Sequence, residues 1–120
     1  MVTVHLWVGS ILVLAYIVLT IANGMQISGT RTFAWTRQLS MGAAGLLLVQ
    51  IVLGFNLLAG DHSINAVHYL FALAAIATVG FEHAKASTEP EANMRARMLT
   101  FATAGTTALI LIAYAIGQSN

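Results

Sequence analysis

Charged side chains in this sequence are placed so that four long stretches carry none. Asp, Glu, Lys and Arg occur only at positions 31, 37, 61, 82, 85, 89, 91, 95 and 97, leaving 1–30, 38–60, 62–81 and 98–120 free of formal charge. A helix needs about 20 mainly apolar residues to cross roughly 30 Å of hydrocarbon, so each stretch holds one crossing and none holds two. Lipid cannot satisfy exposed backbone amides, which restricts spanning structures to helices and closed barrels. The stretches lack the in-out alternation of barrel strands. The sequence therefore predicts an all-α fold, an integral membrane antiparallel four-helix bundle. It forms a single transmembrane domain over 1–120, with helices at about 3–22, 38–58, 64–83 and 98–117. Composition agrees, because 58% of the residues are hydrophobic and only 8% are charged, against roughly a quarter charged in a soluble domain.

The same features remove several function classes. A net charge of +1 with no basic stretch does not suit nucleic acid, whose binding rests on neutralising phosphates. With no cysteine there is no disulfide, no thiolate metal site and no covalently attached c-type haem. No Ser, His and Asp constellation or phosphate-cradling glycine loop is present, and no catalytic residue is assigned. The N-terminus lacks the positive region of a signal peptide, so the first apolar run is expected to stay in the mature chain.

Orientation follows from the cations. Arg31 and Arg37 lie in the first connection and Lys85, Arg95 and Arg97 in the third, so all five fall on one side. Lys and Arg are retained on the cytoplasmic face, which predicts both termini and the 59–63 turn outside, in a bacterial or archaeal plasma membrane. Trp7, Phe33, Trp35 and Tyr114 read as interfacial anchors facing lipid.

The four histidines are the most informative polar residues, since imidazole in lipid is costly unless partnered or coordinating. His5 opens the first span and His68 lies about one turn into the third, both counted from the outer face. Spans 1 and 3 run parallel, so the two rings reach similar depth. Two neutral imidazoles at one level suit a haem iron that takes both axial ligands from protein. Gly9, one turn along from His5, and Ala72, one turn along from His68, leave space for a flat macrocycle. Gln50 lies mid-span and is expected to bond across the bundle or to touch a propionate or quinone. His62, in the outer turn beside Asp61, is solvated, a partner for a propionate, or a replacement for His5 as a ligand. A zinc site would need further ligands, with only His62 and Asp61 at hand. His83, next to Glu82 at the inner end of span 3, has no second intramembrane histidine at its depth. The bland alternative is a wetted His5 and a His68 that merely bonds a neighbouring helix.

The stretch Leu46-Leu47-Leu48-Val49-Gln50-Ile51-Val52-Leu53-Gly54, followed by a short turn and Ala66-Val67-His68-Tyr69-Leu70-Phe71-Ala72, resembles the haem A synthase family. That family carries a glutamine and a leucine-glycine pair late in one helix, a turn, and a ligand histidine near the start of the next. Its members are generally two fused four-helix bundles, and this chain has the size of one. The resemblance implies a haem-holding bundle, with His68 an axial ligand and His5 its counterpart. The run Val2-Thr3-Val4-His5-Leu6 lacks the glutamate that precedes the family's first histidine and the arginine that follows it.

The function expected from these readings is that of a b-type cytochrome. One haem b is held by His5 and His68 near the outer face, with electrons exchanged with a quinol or an extracytoplasmic redox protein. Other membrane subunits of a larger redox complex, or further copies of the chain, are the expected partners besides the bilayer. Three alternatives stay open: a non-redox structural subunit, a subunit binding a bacteriochlorophyll-type pigment, and a haem A synthase-like enzyme.

Overall fold

The computed structural model, which describes residues 2–29, 32–60 and 65–118, is built from four helices: α1 (Val2–Met25), α2 (Thr36–Ala59), α3 (Ala66–Thr88) and α4 (Ala92–Gln118). They contain 24, 24, 23 and 27 residues, and all four are long and apolar enough to cross a membrane. At 1.5 Å per residue they run roughly 35–40 Å, beyond the thickness of the hydrocarbon. The result is an elongated bundle of 50 × 21 × 20 Å with the α1 start, the α2 end, the α3 start and the α4 end together at one end. We call this the terminal end and the other, where the cations gather, the basic end.

Helix limits differ from the charge-bounded spans mainly at the basic end. α3 continues past position 83 to Thr88, and α4 begins at Ala92 rather than near 98. Charge ends the stretch that hydrocarbon tolerates but does not end a helix, whose backbone bonds are as well satisfied in the interface as in the core. Other signals set the boundary. Pro90 disfavours helical geometry at the preceding residue, and Glu89 is extended at φ −81° and ψ 114°. At the terminal end, Asn65 caps α3 by accepting the Val67 amide at 2.9 Å. Gly29 takes a left-handed φ of 76° in the α1–α2 connection, a conformation that glycine adopts without a Cβ clash. The Asn93 side chain donates to the Ile27 carbonyl, tying the start of α4 to that connection.

Large apolar residues point outward: Trp7, Leu14, Val52, Leu70 and Phe101 are all exposed, Phe101 by 80%. The interior is made of Leu12, Tyr16, Leu19, Ala43, Leu47, Ala75 and Ile110. Hydroxyls fasten the helices together. Thr78 and Thr106 meet at 2.6 Å between α3 and α4, Thr20 and Thr107 at 3.3 Å between α1 and α4, and Asn23 donates to Thr103 at 3.4 Å. α4 packs closely on both α1 and α3, and α1 on α2, whereas α2 and α3 barely touch. The bundle is thus open along its α2/α3 seam. Because lipid is as apolar as the interior, close packing and these polar contacts hold the helices together. Thr106→Val should cost about 0.6 kcal/mol and at most about 1.7 kcal/mol, the range for interhelical hydrogen bonds, read by unfolding of the detergent-solubilised chain.

Candidate functional site

At the terminal end the helices enclose a cavity of about 300 Å³, lined from all four of them and mostly apolar. His5, Gly9, Gln50, His68 and Ala72, five of the residues expected from the sequence to hold a cofactor, all line it. His62 falls in segment 61–64, outside the described residues. The histidines come from α1 and α3, whose backbones lie diagonally across the bundle, so that only side chains bring the two helices together. Their ring centres are 6.3 Å apart and their planes are inclined at 64°.

The His68 ring is oriented by the backbone. Its Nδ1 lies 2.7 Å from the carbonyl oxygen of Ala113 on α4. A carbonyl can only accept, so Nδ1 carries the proton, and the Nε2 of the neutral ring keeps a bare lone pair. Metal-binding histidines are commonly held this way, with the far nitrogen bonded to a carbonyl and the near one left for the ion. Gly117 permits the approach, because a Cβ there would stand 3.3 Å from His68 Cε1.

His5 is held from α2. The Gln50 amide nitrogen donates to the His5 carbonyl at 2.8 Å and lies 3.4 Å from His5 Nε2. Gly9 makes room for that amide, since a Cβ at position 9 would meet Gln50 Nε2 at 3.0 Å. Gly54 does the same for the ring, with an added Cβ only 3.4 Å from His5 Cε1. Two buried polar atoms here lack a hydrogen-bond partner, His5 Nδ1 and Gln50 Oε1. Buried polar atoms in native proteins nearly always have a protein, water or ligand partner.

Geometry can be tested against a shared metal. With a metal–nitrogen bond of roughly 2.0–2.1 Å, each ring centre lies about 3 Å from the ion, so two rings sharing one ion stand about 6 Å apart. The observed 6.3 Å accommodates that span, and at an inclination of 64° it is equally the spacing of an edge-to-face ring contact. Among the described residues, no group of three or more His, Cys, Asp or Glu could hold a metal ion. A two-histidine set suits a metal whose remaining ligands come from a macrocycle, and falls short of a four-coordinate zinc. A planar tetrapyrrole exceeds the cavity and has to extend into the open α2/α3 seam, where Phe55 and Leu73 line the pocket and are exposed. The residues present therefore fit the group.

Three features were not readable from sequence. Tyr114 turns inward instead of anchoring in the interface: it lines the cavity, and its hydroxyl bonds Ser10 Oγ at 3.1 Å. The Ala113 carbonyl has no sequence signature. Gly54 and Gly117 are ring supports only because of how their helices are rotated. Comparison with family models, with curated proteins and with solved structures gives no match.

Proposed function

We propose that this chain is a membrane-embedded b-type cytochrome that holds one haem between His5 and His68. The observation that carries the reading is the close pair of imidazoles lining one cavity, 6.3 Å between ring centres, with His68 Nδ1 committed to the Ala113 carbonyl. The sequence resemblance to haem A synthases, confined to the α2 and α3 segments, supports the same use of the bundle. When bound, haem supplies reversible one-electron chemistry. His5 and His68 would hold the group, with the tautomer of His68 set by the Ala113 carbonyl, and Leu12, Leu47 and Ile110 give the pocket apolar walls. Two protein ligands leave no open coordination position, which favours electron transfer over oxygen activation. A pigment with one axial histidine would leave the second ring without a use.

The direct experiment is a reduced-minus-oxidised absorption spectrum of the purified protein. Sharp low-spin b-type bands are expected; far-red bands would move the reading to a chlorophyll-type pigment, and no visible absorption would leave a structural subunit. The open seam makes a lipid-dissolved quinol the favoured electron partner, reaching the site between α2 and α3. A single membrane subunit of a larger redox complex fits the same surface.

The clustering of cations assigns the basic end to the cytoplasm and the terminal end to the outside. The chain has no cysteine, so single-cysteine variants report sidedness without background. Ser87→Cys, exposed at the end of α3, should be labelled by an impermeant thiol reagent in inverted vesicles and not in intact cells.

A further inference from the structure

A second polar site lies at the opposite end of the bundle. Among the described residues, six buried side-chain atoms have no hydrogen-bond partner, and the four outside the cavity are Tyr16 Oη, Arg37 Nη1, Glu82 Oε1 and His83 Nε2. Glu82 follows His68 by 14 positions, which places it about 21 Å further along α3. The sequence puts Glu82 at the edge of a span, yet it is only 1% exposed and faces the interior. Tyr16, at 0% exposed, belongs to the adjoining core beside Ala43, one turn from Ser40.

The Glu82 carboxyl is only partly provided for. Ser40 Oγ donates to Oε2, Arg37 Nη1 stands 3.9 Å from that oxygen, and Oε1 receives nothing from the protein. Arg37 turns its other nitrogen to His83 Nδ1 at 3.0 Å. The Arg37 side chain is 43% exposed, so the cluster starts at the basic surface and ends on a buried carboxyl. Unpartnered buried polar atoms lying together are commonly met by ordered water. Towards the cavity the cluster is closed by an apolar layer of Leu12, Leu47, Ala75 and Ile110.

We propose that Glu82 is a proton-binding site loaded from the basic end only, through water held by Arg37 and His83. In the loading step, a water-borne proton from the basic face adds to Glu82 Oε1. The Arg37–carboxylate pair becomes a cation beside a neutral acid, and the bundle gains one positive charge. The groups able to influence the site are Arg37 from α2, Tyr16 from α1, and His83 and Lys85 from α3; the Lys85 ammonium lies 5.7 Å from the centre of the Phe81 ring. α4 brings no charge to it: Ala96, Ala102 and Thr103 are its buried residues there, Arg95 donates to the Glu89 carbonyl, and Arg97 is exposed.

The test is infrared difference spectroscopy of the full chain in oriented proteoliposomes, stepping the pH on one side at a time in H2O and D2O. A carboxylic-acid carbonyl band should appear on acidifying the basic side, shift on deuteration and vanish in Glu82→Gln. Glutamine keeps the acceptor for Ser40, so that variant retains the packing. Ser40→Ala, which leaves Glu82 in place, should move the band to higher frequency because the hydroxyl no longer draws on the carbonyl. A band that survives in Glu82→Gln, stays unmoved in Ser40→Ala, or responds equally to acid on the terminal side overturns the proposal. The band belongs to the polypeptide, so a chain found to carry no haem leaves this outcome standing.

Discussion

Haem content should fall roughly 100-fold or more in His68→Ala, beyond the 10- to 100-fold typical of disturbing a group that merely supports a metal ligand. His68 is the better-oriented ring of the pair, with Nδ1 held 2.7 Å from the Ala113 carbonyl and its edge seated against Gly117. On the proposed reading, losing it would remove one of the two ligands together with the ring that the Ala113 carbonyl orients. His5→Ala should likewise abolish the low-spin signal. Gln50→Leu acts one step away, by releasing the His5 backbone and ring, and should weaken haem retention by roughly 10-fold. His83→Ala should change neither haem content nor spin state, since His83 stands at the basic end and contacts Arg37. Pyridine haemochrome assay and electron paramagnetic resonance read all four. Unchanged haem in both His5→Ala and His68→Ala would exclude the pair as ligands.

Tyr16→Ala should be the most destabilising change in the core, by about 3–5 kcal/mol, the range for truncating a large buried aromatic side chain. Tyr16 is fully enclosed and packs in the cluster built by Leu12, Leu19, Ala43, Leu47, Ala75 and Ile110 from all four helices. In lipid the loss comes from missing contacts around a void rather than from exposure to water. Leu14→Ala, at a position 63% exposed to lipid, should stay within about 0.5 kcal/mol. Denaturant or thermal unfolding in a mild detergent separates the two, and equal effects would mean that Tyr16 is not at the packing centre.

The histidine pair shows how far the residues alone could be read. His5 and His68 have matching distances from the ends of two like-directed spans, so their common level is a matter of counting at 1.5 Å per residue. Counting also places Gly9 and Ala72 one turn along from them. It cannot place Gly54, Gly117 or the Ala113 carbonyl against the rings, because those contacts depend on the rotation of α2 and α4 about their own axes. Tyr114 shows the same blind spot: an aromatic residue near a helix end has the sequence signature of an interfacial anchor, yet it faces the cavity and bonds Ser10. Glu82 fails in the other direction. Its charge marks the end of an apolar stretch, but α3 runs on to Thr88, and the side chain turns inward to meet Ser40.

Linear order and composition therefore determined the number of crossings, their alternating direction, the end at which the cations collect and the shared level of two imidazoles. Each of these depends only on charge position and on length along a helix. The tertiary structure decided which helices touch, with α4 tight against α1 and α3 while α2 and α3 stand apart, and which side of each helix is inside. In water an apolar stripe would have announced that side. Here the surroundings are as apolar as the interior, so facing is set by the fit of small residues and a few hydroxyl and amide bonds, and those form only once the helices are assembled.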